Sequence, residues 1–197
     1  ELLQYYDDNI DLTRLEASAL YAGIVVDTKN FAVQTGVRTF EAASYLRRSG
    51  ADPTLVRHLF RIDFDTIRSR AQILSNTEML PGGVVLATCP ADARNAQIVA
   101  AQVADMLLTI EGVRVSFVLF PFEDGGTGVS ARSQGDINVQ VLMEQLGGGG
   151  HQTVAGAQLR QADCGATRAK LLEIINNYIQ ESDTHESNTA ARSKKAR

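Results

Sequence analysis

Val113-Arg114-Val115-Ser116-Phe117-Val118-Leu119-Phe120-Pro121-Phe122 alternates side chains in the manner of a strand, and Gly125-Gly126-Thr127-Gly128 turns the chain back into Val129-Ser130-Ala131-Arg132-Ser133. A period of two with β-branched and aromatic residues, followed by a glycine-rich turn, predicts a hairpin. The neighbourhood changes rhythm on both sides. Val84–Thr88 is a short buried-strand run, and Asp92–Leu108 repeats apolar residues at helical spacing. Downstream, Asp136–Leu146 gathers Val139, Leu142, Met143 and Leu146 on one helical face. A strand is expected near Thr153–Leu159 and a helix from Asp163 to Ile179. Helical and strand periods interleaved at this spacing predict an α/β domain around a mixed sheet over residues 79–181.

Upstream of the break at Pro81-Gly82-Gly83 the signals are helical. Leu2–Tyr6 reads as the tail of a helix. Thr13-Arg14-Leu15-Glu16 is a capping-box pattern opening an Ala-rich helix toward Val26. A loop and short extended segment are expected at Thr28–Gly36, then a helix over Phe40–Ser49 and another after Pro53, where proline suits the first helical position. A further helix over Asp63–Leu74 completes a four-part division: a helical remnant at 1–62, a linker helix at 63–78, the α/β domain at 79–181, and a tail at 182–197. The tail has no aliphatic residue larger than Ala and is expected to be disordered.

At 197 residues, with 44% hydrophobic and 21% charged, the chain has the balance of a globular protein. The longest apolar run, Ala19–Val26, is far short of the roughly 20 residues a membrane helix needs. The fragment is therefore expected to be soluble. Cys89 and Cys164 are expected to be free thiols in a reducing compartment. Residues 1–181 carry fifteen basic and twenty-one acidic side chains, net −6, which speaks against a duplex nucleic-acid clamp but not against a nucleotide pocket. The chain begins at Glu1, and a piece of a longer polypeptide is the expectation.

Three features carry chemistry. In Leu146-Gly147-Gly148-Gly149-Gly150-His151, four glycines follow a helix where one usually serves as its stop. Such a run lets backbone amides of Gly148, Gly149 and Gly150 approach an anion, with His151 adding an imidazole. A flexible loop with a surface histidine fits the same letters. Ser130-Ala131-Arg132-Ser133 places Ser130 and Arg132 on one face of a strand and Ala131 and Ser133 on the other. Arg132 is a fork-shaped donor suited to phosphate, although arginines on solvated strand faces are common. Finally, Gly23–Thr28 ends a helix on Asp27, where the helix dipole disfavours a carboxylate by about 0.3–1 kcal/mol. A bound cation would reverse that penalty; an exposed aspartate beginning the next turn is the alternative. Histidines are few: His58 sits among apolar residues, and His185 lies in the expected tail.

Together with Gly23–Phe31, Arg38–Ala43 and Gly135–Val139, these stretches resemble, in order over residues 1–180, the C-terminal part of the DHH family of phosphoesterases, of the GdpP-type cyclic-di-AMP phosphodiesterase kind. The resemblance implies the end of a DHH metal-binding domain in residues 1–62 and a DHH-associated substrate-binding domain in 79–181. It implies Asp27 as a ligand to one of two manganese ions. Ser130, Arg132, Ser133, Gly148, Gly149, Gly150 and His151 are implied as substrate-binding residues. The Asp-His-His triplet that names the family, and its earlier Asp- and His-rich motifs, are absent from this sequence.

The implied reaction is hydrolysis of cyclic di-AMP to linear 5′-pApA in a longer parent protein, with the metal site incomplete in this chain and the chain inactive alone. The implied partner is cyclic di-AMP or a related adenine dinucleotide, with no duplex nucleic acid. Membrane association, on the cytoplasmic side, would come only through upstream segments, and a homodimer is compatible with the resemblance. Two rivals stand beside it: a nanoRNA or phosphoadenosine phosphatase of the same superfamily, and a non-catalytic nucleotide- or tRNA-binding module.

Overall fold

The computed structural model describes residues 2–3, 10–122 and 125–195, with residues 179 and 181–195 as backbone only. The helix end expected at Leu2–Tyr6 lies mostly outside the described residues. The chain divides into two compact units, Glu1–Ile62 and Asp63–Arg197.

The first unit is helical: α1 (Arg14–Asp27), α2 (Val37–Arg48) and α3 (Pro53–Leu59). The capping box forms as the letters predict, with the Thr13 side chain accepting from the Glu16 amide and Glu16 accepting from the Thr13 amide at 2.9 Å. Asp52 caps α3 by accepting from the Thr54 amide at 2.8 Å and also pairs with Arg14. Ser18 donates to the Arg14 carbonyl and accepts from the Asp52 amide at 3.0 Å, so the starts of α1 and α3 are tied together. The buried cluster is small: Ala17, Leu46 and Ala51. After α1 the chain departs from the expected extended segment. Lys29, Asn30 and Phe31 take consecutive φ values of 46°, 59° and 65°, a left-handed turn. The Asn30 amide reaches back to the Val25 carbonyl at 2.7 Å, and the Phe31 ring stacks on Phe40 at 5.5 Å.

The second unit begins with α4 (Phe64–Ser75), capped by Asp63, which accepts from the Thr66 amide at 2.8 Å. Set apart in the sequence as a linker, this helix packs within the unit: Ile73 is wholly buried in a core shared with Val85, Val99 and Val118. There follow β1 (Glu78–Leu80), β2 (Val84–Thr88), α5 (Ala96–Leu107), β3 (Val115–Pro121) and β4 (Thr127–Ser133). The chain closes with α6 (Val139–Glu144), β5 (Gly149–Gly150), β6 (Val154–Leu159) and α7 (Cys164–Lys195). Helix α5 starts four residues later than its period suggests, because Ala93 turns back onto Pro90 and Asn95 is left-handed at φ 50°. Helix α7 continues through residues 182–195, where a disordered tail is the expectation; that stretch contains neither glycine nor proline to stop a helix.

The six strands form one mixed sheet in the order β1-β2-β3-β4-β6-β5. Only β2 and β3 run parallel, with α5 as their crossover; the other neighbours are antiparallel. Alternation sorts the strands between two cores. Val115, Phe117, Leu119, Val129, Ala131, Ala155 and Ala157 face α6 and α7. Val85, Val118 and Phe120 face α5. On that second side α5 packs mainly on β3 and β4, so the sheet extends beyond it through β6 and β5. No helix among the described residues is long and apolar enough to cross a membrane.

Candidate functional site

The part of the sheet that α5 leaves uncovered is floored by small residues. Ser130 on β4 and Gly156 on β6 are paired across the ladder. Here opens a cleft of about 550 Å3, lined by Ser130 and Arg132, by Gly147, Gly148 and Gly149, by Gly156 and Gln158, and by Gln97 and Ala101 from α5. Of the residues expected at the site, Ser130, Arg132, Gly148 and Gly149 are thus brought together.

Arg132 is the charged member. Its side chain is 12% exposed. Nε lies 3.5 Å from Asp105 Oδ1 on α5, and Nη1 donates to the Ala131 carbonyl at 2.9 Å. One hydrogen bond and one ion pair thus hold the guanidinium at the cleft, and its other donors suit a bidentate or single contact to an anionic oxygen.

The glycine run is neither a flexible loop nor a uniform anion cradle. Gly147 takes φ 79°, and two bonds close helix α6 behind it: Gly147 N–H to the Glu144 carbonyl at 2.9 Å and Gly148 N–H to the Met143 carbonyl at 2.8 Å. This paired stop is a Schellman motif, and it corrects the expectation that the Gly148 amide is available to a ligand. A Cβ on Gly148 would come within 2.1 Å of the Gly156 carbonyl oxygen, and one on Gly150 within 2.5 Å of Ala155 Cα. Close packing of β5 on β6 accounts for both. Gly149 alone has open space around its missing Cβ and an ordinary φ, so its smallness serves the cleft rather than the fold.

Three expected residues lie elsewhere. Ser133 falls on the opposite face of β4, 5% exposed, with its hydroxyl toward the Gln152 carbonyl at 3.4 Å; alternation along the strand makes this unavoidable once Arg132 faces the cleft. Gly150 pairs with Ala155 in the ladder. His151 is exposed in the turn between β5 and β6, its amide donating to the Val154 carbonyl at 2.7 Å. Neither Gly150 nor His151 lines the cleft. Gln97, Ala101, Gly156 and Gln158 were not singled out from the sequence. A signal existed for Gly156, since a glycine inside a strand marks a close approach by backbone or ligand. None existed for Gln97, which reaches the cleft only through the packing of α5.

Asp27 is the last residue of α1 in the first unit and is exposed. Among the described residues no group of three or more His, Cys, Asp or Glu is placed to hold a metal ion. A single carboxylate does not by itself make a two-metal site. His58 is exposed, 3.3 Å from the Arg61 guanidinium rather than among ligands. Cys89 is buried, Cys164 is half-buried, and both are free thiols.

A mixed sheet with a glycine-built edge strand and an arginine held beneath it defines a recognisable class, and the chain belongs to the DHHA1 domain family, which matches residues 82–181. Over 180 residues it is 47% identical to the cyclic-di-AMP phosphodiesterase GdpP of Geobacillus thermodenitrificans, covering 91% of this chain. Over 178 residues it is 44% identical to the cyclic-di-AMP phosphodiesterase PdeA of Listeria monocytogenes, covering 90%. The chain spans only 27% of the length of either relative. Among solved structures, an exopolyphosphatase-related protein from Bacteroides fragilis shares the fold at a TM-score of 0.71 and 17% identity, over 86% of this chain and 51% of that one.

Proposed function

We propose that residues 63–195 are the substrate-holding domain of a phosphodiesterase acting on cyclic di-AMP, and that residues 1–62 belong to its metal-binding domain. The observation that carries this reading is the convergence of Ser130, Arg132, Gly148 and Gly149 on one cleft, in a chain whose relatives are named cyclic-di-AMP phosphodiesterases. Arg132, steadied by Asp105, takes a phosphate oxygen. Ser130, a residue 8% exposed at the cleft, supplies a second polar contact through its hydroxyl. Gly149 admits the ligand where any side chain would stand in its way. These groups bind and orient; holding a diester in one pose removes the entropic part of the barrier for chemistry done elsewhere.

Hydrolysis to 5′-pApA would call on two manganese ions held by a complete metal domain. Asp27 is the one residue here proposed as a ligand, and binding without turnover is the expectation for this chain.

Calorimetry with cyclic di-AMP tests the reading. Saturable binding is expected, weakened at least tenfold by Arg132→Ala and by Gly149→Val, with no linear dinucleotide formed in excess manganese. Tighter binding of a linear oligonucleotide would move the substrate to the nanoRNA class. Preference for a tRNA, with a steep loss on raising salt, would mark a nucleic-acid module instead. Turnover abolished by Asp27→Asn would show that the chain holds a complete site.

A further inference from the structure

A second hollow of about 500 Å3 opens beside the cleft, lined by Asn95, Ile98 and Phe122 and sharing Gln97 and Phe120 with it. Its chemistry differs from that of its neighbour. Among the described residues no ionisable side chain lines it, whereas the cleft carries Arg132. Phe122 is half-buried and meets Phe120 edge-on, with ring centres 5.3 Å apart at 71°. Phe120 is itself fixed over Gly128, where a Cβ would come within 2.2 Å of the ring. The Phe122 ring thus rests against a buried neighbour and presents an apolar surface to the hollow. Two carboxamides stand close by. Asn95 begins α5 in a left-handed conformation and its side chain makes no capping bond; Gln97, two residues on, is exposed. Each offers a donor and an acceptor, the pairing that the edge of a purine presents in turn.

We propose that this hollow seats a purine base of the dinucleotide whose phosphate lies against Arg132 in the adjoining cleft. The inference rests on the nucleotide-holding reading above and extends it to residues outside the glycine run and the serine–arginine strand. An anionic group goes to the half with the arginine. A flat, uncharged, hydrogen-bonding group goes to the half with the aromatic ring and amides. Base-on-ring stacking makes Phe122, with Asn95 and Gln97, the determinants of base preference.

The chain contains no tryptophan, so Phe122→Trp introduces a single fluorophore at the proposed contact. Titration of that variant with cyclic di-AMP should quench its emission over the same concentration range in which calorimetry records binding. Phe122→Leu, which keeps the apolar contact with Phe120 but removes the ring, should bind about tenfold or more weakly with an unchanged melting profile. Binding by calorimetry with unchanged fluorescence would overturn the base seat while leaving the nucleotide-holding reading intact. Absence of binding to the unsubstituted chain would overturn both.

Discussion

The two units of this chain handle apolar surface in opposite ways. In the second, a six-stranded sheet separates two cores, and Phe117, Leu119, Val103 and Leu107 are wholly buried within them. In the first, the buried cluster is Ala17, Leu46 and Ala51, while Val37 is 76% exposed, Leu15 71% and Leu59 62%. At about 25 cal/mol per Å2 of apolar surface removed from water, stability is concentrated in the second unit. The first is held to a larger degree by polar ties at its helix starts, those of Thr13, Glu16, Arg14, Ser18 and Asp52. The unit with the deeper core is also the one that can keep a cleft open on a bare stretch of sheet.

Cavity-forming substitutions put that contrast under the greatest load. Phe117→Ala should cost about 3–5 kcal/mol and abolish nucleotide binding, whereas Leu46→Ala should cost about 2 kcal/mol and leave binding intact. Thermal melts followed with a nucleotide titration separate the two, and a Leu46→Ala loss of binding would break the division of labour. Within the second unit, Gly148→Ala should cost up to about 3 kcal/mol, since its Cβ meets backbone atoms of β6. Gly149→Ala should leave the melt unchanged while weakening binding. Equal melts for the two would mean that β5 does not pack on β6 as described.

The smallest effects are those of pH, and they differ in sign between the helix-capping carboxyls, Asp63 of the second unit included, and the buried thiol. Hydrogen bonds from Thr13 hold Glu16 below its ordinary 4.5, and the Arg14 hydrogen bond, with the Thr54 amide, holds Asp52 below 3.8. For depressed carboxyls the contribution is present above the ordinary value and lost as pH falls through the folded one. Burial instead lifts the Cys89 thiol from 9.0 to about 12, so its contribution is present below pH 9 and lost as pH rises toward 12. Circular dichroism should show helix lost first in acid, and Cys89→Ala should flatten the alkaline limb alone.

Much of the fold was legible because period and burial agree: β2, β3, β4 and β6 alternate or run apolar in the letters, and the Thr13–Glu16 box announces α1. What escaped was set by tertiary approach. Strand β1 leaves Glu78 and Met79 exposed and carries no alternation of its own. Strand β5 is two glycines whose pairing depends on β6. The left-handed run at Lys29–Phe31 uses none of the residues that favour that region except Asn30. At the cleft, the serine–arginine strand was readable down to which residues share a face, which should have removed Ser133. The glycine run misled in part, because helix closure and sheet packing each claim glycines that look from sequence like ligand-binding positions.

The central claim, that a nucleotide is held on the uncovered half of the sheet in the second unit, is tested most directly by amide chemical-shift mapping of the full chain with cyclic di-AMP. The account predicts saturable shifts centred on Ser130, Arg132, Gly149, Gly156 and Gln97, with His151 moving less. Shifts confined to the His151 turn or to residues 10–62, with the β4–β6 floor unmoved at saturation, would contradict it.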